Sequence, residues 1–250
     1  MSDRTLSCRH ELKYHIGESE AKAIAEFIRP YLEVDRYCKL QRSGDYPIVS
    51  LYLDSKDLQL CQESLRGHKN RFKLRIRSYT DEPDYPRFFE IKRRINTIIN
   101  KSRARVMDRD VQTLLAGRSL PPQNYTADID TINQFQLYMK SIHAKPTVLI
   151  RYRRQAFEGD SENRVRVTFD RELSYCVTDR PVVRLGGTGW QRNPFTEGGV
   201  ILEIKFTNRY PEWLSHMAKY FNLQARSISK FASSITDSRL LEFYVPQLTF

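Results

Sequence analysis

The sequence predicts an α+β domain in which antiparallel strands turn charged faces toward an interior and helices pack outside them. Three observations carry this expectation. Strand-length segments alternate apolar with charged residues, helical periodicities lie between them, and 41 Lys+Arg outnumber 30 Asp+Glu to give a net charge of +11.

A half-buried strand sends successive side chains to opposite faces, so a period of two is its signature. In the first such segment Glu11, Lys13 and His15 share one face and Leu12, Tyr14 and Ile16 the other. A helical pattern follows over Glu18–Arg29 and stops before Pro30. Pro47–Asp54 is strand-like but more continuously apolar, and a helix over Asp57–Leu65 ends before Gly67. Lys73, Arg75 and Arg77 then share a face of Phe72–Arg77, as do Glu90, Lys92 and Arg94 in Phe89–Arg94. Lys101 and Arg103 extend this cationic series, with a solvated hairpin end an equally good account of them.

Helices over Asp108–Leu115 and Thr131–His143 flank a loop at Pro121-Pro122. Thr147–Arg154 is the next strand, again more continuously apolar. Strict alternation puts Arg154 with Val148 and Ile150, so a bulge or a shifted register is expected there. Arg164, Arg166 and Asp170 oppose Val165, Val167 and Phe169 in the following segment. After a glycine-rich loop between residues 180 and 199, Glu203 and Lys205 repeat the pattern in Leu202–Phe206. Helices at Glu212–Phe221 and around Ser229–Phe243 complete the series. Neither loop reads as a linker, so residues 1–250 are expected to form one domain.

Composition bounds the class. With 250 residues and 40% hydrophobic content the chain can bury a sizeable core, and 10 Gly and 11 Pro give no disordered bias. Cys8, Cys38, Cys61 and Cys176 never approach the C-x-x-C spacing of a zinc site and suit a reducing cytoplasm. Met-Ser-Asp-Arg runs directly into charged residues, and no window nears the roughly 18 apolar residues of a span. A soluble, cytoplasmic protein is expected, without an integral membrane segment of its own, though a membrane partner stays open.

A strand with one charged face is ordinarily part of a sheet with one side in water. Repetition of one sign weakens that account, because like charges on neighbouring strands repel and natural surfaces mix signs. A sheet that tolerates such clustering is expected to hold an anion. Charges lining an interior each cost several kcal/mol to desolvate, so the interior must be wet and filled by counter-ions or ligand. The carboxylates Glu11, Glu90, Asp170 and Glu203 either offset a neighbouring cation or supply hard oxygen ligands to Mg2+ or Mn2+.

Arginine forks match phosphate oxygens, and residues two apart on a strand face lie about 7 Å from one another. The pairs Arg75/Arg77 and Arg164/Arg166 therefore suit successive phosphates. In Arg226–Phe231, Ser227 or Ser229 could cap a helix that carries Lys230 in its first turn. A lysine there opposes the helix dipole unless an anion is near.

Together these segments resemble the catalytic domain of the vacuolar transporter chaperone (VTC) family, polyphosphate polymerases of the CYTH-like triphosphate tunnel metalloenzyme superfamily. The resemblance spans nearly the whole chain. It rests on Arg9-His-Glu11-Leu-Lys13-Tyr14, Ser50-Leu-Tyr52-Leu-Asp54-Ser55, Lys73-Leu-Arg75-Ile-Arg77-Ser-Tyr79, Phe89-Glu90-Ile-Lys92 and Lys101-Ser-Arg103. It continues through Arg151-Tyr152-Arg-Arg154-Gln-Ala156-Phe157, Arg166-Val-Thr-Phe-Asp170, Leu202-Glu203-Ile-Lys205 and Ser229-Lys230-Phe231.

The resemblance implies a tunnel of eight antiparallel strands with inward charges. It implies transfer of the γ-phosphoryl of ATP to a growing inorganic polyphosphate. Arg77, Lys92, Arg166 and Lys230 would be catalytic. Lys13, Lys73, Arg75, Arg94, Lys101, Arg103, Arg154, Arg164, Lys205 and Ser229 would bind the phosphates, and Glu203 would carry Mn2+ or Mg2+, with Glu11, Glu90 and Asp170 as further candidates. Hydrolysis of a triphosphate or tripolyphosphate on the same fold is the alternative. A non-catalytic polyphosphate- or RNA-binding module is another, although no RNP-like aromatic motif supports nucleic acid. Eukaryotic relatives also carry an inositol-phosphate-sensing domain and membrane helices, and neither is expected in these 250 residues.

Overall fold

The computed structural model describes residues 9–96, 98–120, 128–159, 164–207, 210–240 and 242. Cys8, the Pro121-Pro122 loop and the end of the last expected helix lie outside them. The strands are β1 (Arg9–Gly17), β2 (Glu33–Val34), β3 (Tyr46–Asp54), β4 (Arg71–Ser78), β5 (Arg87–Ile95), β6 (Ile98–Val106), β7 (Lys145–Glu158), β8 (Arg166–Val177), β9 (Gln191–Arg192) and β10 (Gly199–Thr207). The helices are α1 (Glu18–Ile28), α2 (Arg36–Lys39), α3 (Gln59–Leu65), α4 (Val111–Leu115), α5 (Ile129–Ser141), α6 (Glu212–Tyr220) and α7 (Lys230–Asp237). The fold is α+β, with strands hydrogen-bonded in the order β1-β10-β8-β7-β3-β4-β5-β6 and β2 and β9 attached to β7 and β8.

The chain divides into two compact units, each assembled from three separated segments. The first comprises residues 1–46, 153–172 and 195–228. There β1 pairs with β10 from Arg9↔Thr207 to Gly17↔Gly199, and β10 pairs with β8 from Ile201↔Asp170 to Lys205↔Arg166. Alternation sends Tyr14, Ile16, Val165, Val167, Phe169, Val200, Leu202 and Ile204 to an apolar cluster. Ala21, Ile24, Ala25 and Ile28 of α1 cover it, at the i, i+3, i+4, i+7 spacing of one helix face.

The second unit comprises residues 47–152, 173–194 and 229–250. Here β3, β4, β5 and β6 form an antiparallel series whose apolar side carries Val49, Leu51, Leu53, Leu74, Ile76, Phe89, Ile91, Ala104 and Val106. Ile132, Phe135 and Met139 of α5 pack on it. Each large aliphatic or Phe side chain buried at this depth contributes about 1.5–3 kcal/mol, so these clusters dominate the folding energy. Both strand sets thereby turn their polar sides away from the helices that cover their cores.

Three expectations change. Lys101 and Arg103 belong to a full strand, β6, rather than to a solvated hairpin end; Ser102 and Ala104 left its apolar face too small to read. Arg164 precedes β8, which begins at Arg166. The expected bulge at Arg154 is also not needed: β7 runs without interruption from Lys145 to Glu158, and Val148 and Ile150 are buried yet belong to neither apolar cluster. Leu149 and Phe157 face the apolar clusters, so Val148 and Ile150 lie with Arg154 on the charged side and alternation is kept.

Candidate functional site

In the second unit the charged face is organised in rungs across neighbouring strands. One rung aligns Tyr52, Arg75, Glu90 and Arg103; the next aligns Lys73, Lys92 and Lys101; on the other side Ser50 aligns with Arg77. Glu90 is 1% exposed and is the anchor. Its Oε2 receives Arg75 at 2.6 Å, and its Oε1 receives Lys101 at 2.7 Å and Arg103 Nε at 2.6 Å. Burial alone would raise this carboxyl, but Arg75, Arg77, Lys101 and Arg103 hold it far below the ordinary glutamate range.

Glu90 thus meets three cations directly. Among the described residues Arg77, 6% exposed, hydrogen-bonds to hydroxyls: Nε donates to Ser50 Oγ at 3.2 Å and Nη2 to Tyr152 OH at 3.3 Å. Arg75 Nη1 also donates to Tyr52 OH at 3.1 Å. Burial raises the Tyr52 hydroxyl, yet Arg75, Arg77 and Lys73 overcome it and draw the group down to about 8. Partial burial, against the pull of Glu90, and the repulsion of Arg75 and Arg103 press Lys101 down to about 7. The Tyr52 shift, made against its burial, records positive potential at that hydroxyl, whereas the Lys101 shift comes first from burial.

The start of α7 closes on this face. Ser229 is its N-cap, accepting from Ala232 N at 3.2 Å, and its hydroxyl also receives Lys73 Nζ at 2.9 Å. Phe231 stacks on Tyr52 with centroids 4.8 Å apart, and Lys230 Nζ lies 4.8 Å from the centre of the Tyr152 ring. The aromatic contacts fix two cations and a cap beside the rungs without supplying any negative charge.

In the first unit the charged face is compensated locally. Arg154 grips Asp170 with two bonds, 2.6 and 2.7 Å, and Asp170 is 1% exposed. Arg166 meets Glu158 at 2.5 Å and Asp35 at 2.9 Å. Lys13 contacts Glu11 at 2.9 Å and the Ile228 carbonyl at 3.0 Å, and Lys205 contacts Glu203 at 2.5 Å. Register puts Lys13 opposite Glu203 and Glu11 opposite Lys205. Thr168 stands opposite Glu203, and its Oγ1 is buried without a hydrogen-bond partner among the described residues. Such an orphan costs about 1–3 kcal/mol unless a ligand satisfies it.

Of the residues expected from sequence, Lys73, Arg75, Arg77, Lys92, Lys101, Arg103, Ser229 and Lys230 fall on the second unit's face with Glu90, and Arg94 lies at its far end, where its Nε donates to Asn96 O at 2.8 Å. Glu11, Lys13, Arg154, Arg166, Asp170, Glu203 and Lys205 share the first unit's face. Arg164 is exposed ahead of β8. The sequence reading gave no role to Ser50, Tyr52, Tyr79, Tyr152 or Thr168; a hydroxyl on an apolar-looking strand carries little pattern, and only the alternation of Ser50, Tyr52 and Asp54 could have exposed the polar side of β3.

The donors fit a hard divalent cation. No cluster of three or more His, Cys, Asp or Glu stands ready for a metal among the described residues. Mg2+ and Mn2+ bound together with phosphates need only one or two carboxylates, the remaining ligands being phosphate oxygens and water. Glu203 and Glu11 offer those carboxylates, each now contacting a lysine on a flexible stem, and the orphaned Thr168 hydroxyl lies beside Glu203. No helix among the described residues is long and apolar enough to cross a membrane.

The family model for the VTC domain matches residues 8–238. No curated protein matches the chain. Among solved structures, a putative adenylate cyclase from Bacillus halodurans is similar at 12% identity and a TM-score of 0.48, over 89% of this chain and 93% of that one. The PH1819 protein from Pyrococcus horikoshii OT3 is similar at 12% identity and a TM-score of 0.44, over 92% of this chain and 97% of that one.

Proposed function

Since the chain belongs to the VTC-domain family, we propose that it is a metal-dependent polyphosphate polymerase using ATP as phosphoryl donor. The observation that carries this reading is the second unit's face, where three cations on two strands, β4 and β6, share one buried carboxylate on β5. A surplus of that size, arranged at strand spacing, suits a run of phosphates better than a single anion.

In the reaction, the terminal oxygen of the growing polyphosphate attacks the γ-phosphorus of ATP in line. The bond to the β–γ bridging oxygen breaks, and ADP leaves with that electron pair. No protein nucleophile is required, so catalysis comes from positioning and charge neutralisation. Arg77, Lys92 and Lys230 would neutralise the phosphoryl group in transfer, and Lys73, Arg75, Arg94, Lys101, Arg103 and Ser229 would hold the phosphates along the second unit's face.

In the first unit Arg166 would act as a further catalytic cation, with Lys13, Arg154, Arg164 and Lys205 binding phosphate. Glu203, helped by Glu11, would hold Mg2+ or Mn2+, which when bound neutralises phosphate oxygens. Asp170 and Glu90 are placed less well for a metal, because arginines already saturate both. Incubation with ATP and Mn2+ followed by gel analysis tests the reading: a ladder of long polyphosphate is expected. Orthophosphate or diphosphate alone would assign hydrolysis instead, and binding that persists in EDTA without turnover would assign a non-catalytic module.

A further inference from the structure

At the far end of the second unit's face, β5 and β6 meet in a tight bend at Asn96, whose φ of 53° is the left-handed conformation of a turn. Hairpin bends are ordinarily polar. This one is flanked by Ile95 and Ile98, directly opposite one another, with Ile99 opposite Arg94. The three isoleucines are 51%, 59% and 39% exposed. None belongs to the apolar cluster of the unit.

The surroundings of this tip are cationic. Arg71 and Arg94 are register partners, so Arg71, Arg94 and Ile99 make a row across three strands. The turn before β4 adds exposed Arg66, His68 and Lys69, and is tied to the bend by a 3.1 Å bond from Asn96 N to Asn70 Oδ1. No Asp or Glu occurs in residues 64–78, and Glu90, buried away from the tip, is alone in residues 85–107. Burial and the facing Arg94 depress the Arg71 guanidinium, and Glu63 only partly offsets them.

Water, another copy of the chain and a lipid surface are the available occupants, and they differ in chemistry. Water leaves the isoleucines unburied. A second copy would bring the same cationic collar against this one, which repels. A bilayer with acidic headgroups buries the isoleucines at the boundary of the acyl chains and pairs the collar with phosphates and carboxylates. We infer that the β5–β6 hairpin tip, Ile95, Ile98 and Ile99 within the collar of Arg66, Lys69, Arg71 and Arg94, is a docking site for an anionic membrane surface.

This inference stands on exposure and charge and does not rest on the polymerase reading. Vesicle flotation of the full chain tests it, with phosphatidylcholine alone and with phosphatidylcholine plus phosphatidylserine. The protein is expected to float with the anionic vesicles and to stay behind with the neutral ones. I95S/I98S, made at exposed positions and expected to melt like the parent chain, should lower partitioning more than about tenfold. R94Q should lower it about fivefold. Failure of the parent chain to float overturns the proposal. So does flotation of I95S/I98S equal to that of the parent, which would mean attraction of a plain polycation without the apolar tip. Loss of a concentration-dependent dimer in I95S/I98S, with no vesicle binding by the parent, would assign the tip to self-association instead.

Discussion

The two charged faces of this protein are built from the same alternation and arrive at opposite electrostatic states. In the first unit cations and carboxylates are nearly matched: Arg154 with Asp170, Arg166 with Glu158 and Asp35, Lys13 with Glu11, Lys205 with Glu203. In the second, Arg75, Lys101 and Arg103 all converge on Glu90, and Arg77 hydrogen-bonds among the described residues to the Ser50 and Tyr152 hydroxyls. A face with matched pairs offers carboxylates, whereas one on which several cations converge on a single carboxylate gains from an added anion. Counting the partners of each charge therefore distinguishes the two faces where residue type alone does not.

The largest effect should follow from removing the one anchor of the uncompensated face. Glu90→Gln strands three cations and is expected to cost about 3–5 kcal/mol of folding stability, read from denaturant melts, with much of the loss restored by added polyphosphate. A destabilisation that polyphosphate leaves unchanged would mean that the face has no affinity for it. The sign with pH follows from the depressed Glu90 carboxyl. Its stabilisation is present above the unfolded glutamate value near 4.5 and disappears as pH falls below that range toward the lower folded value. The parent chain should therefore soften in acid more steeply than Glu90→Gln.

Next in size is Arg77→Ala, which removes a guanidinium hydrogen-bonded to the Ser50 and Tyr152 hydroxyls. Polymer formation should drop about a hundredfold or more while the melting temperature changes little, as gels and thermal melts on the same preparation would show. Normal polymer yield would remove Arg77 from the reaction. The compensated face should respond differently: Asp170→Asn alone should cost about 3 kcal/mol, whereas R154M/D170L, which removes the pair together, should fold with nearly parental stability.

Thr168→Val probes the orphaned hydroxyl between these behaviours. Without ligand it should be neutral or stabilising by about 1 kcal/mol, yet it should weaken polyphosphate synthesis, with Thr168→Ser restoring it. The smallest signal is spectroscopic. Tyr52 should ionise with a midpoint near 8 in the free protein. Polyphosphate should move that midpoint upward by screening Arg75, Arg77 and Lys73. Tyrosinate absorbance, compared with Tyr52→Phe, measures the change.

Much of this was legible in the chain. Alternation determined β1, β4, β5 and β10, their polar sides, and hence Lys13, Lys73, Arg75, Arg77, Lys92 and Glu203, because a period of two is a local property of backbone geometry. Helix positions followed equally from local periodicity and from Pro30 and Gly67 as stops. What the sequence could not determine was partnership. Whether Glu90 offsets one cation or three depends on which strands lie beside β5, and that register is set by packing of the apolar sides of β4, β5 and β6 under α5. The side taken by Val148 and Ile150, and with it the place of Arg154, was likewise decided by which face of β7 the core claimed, a choice made only when distant segments pack together.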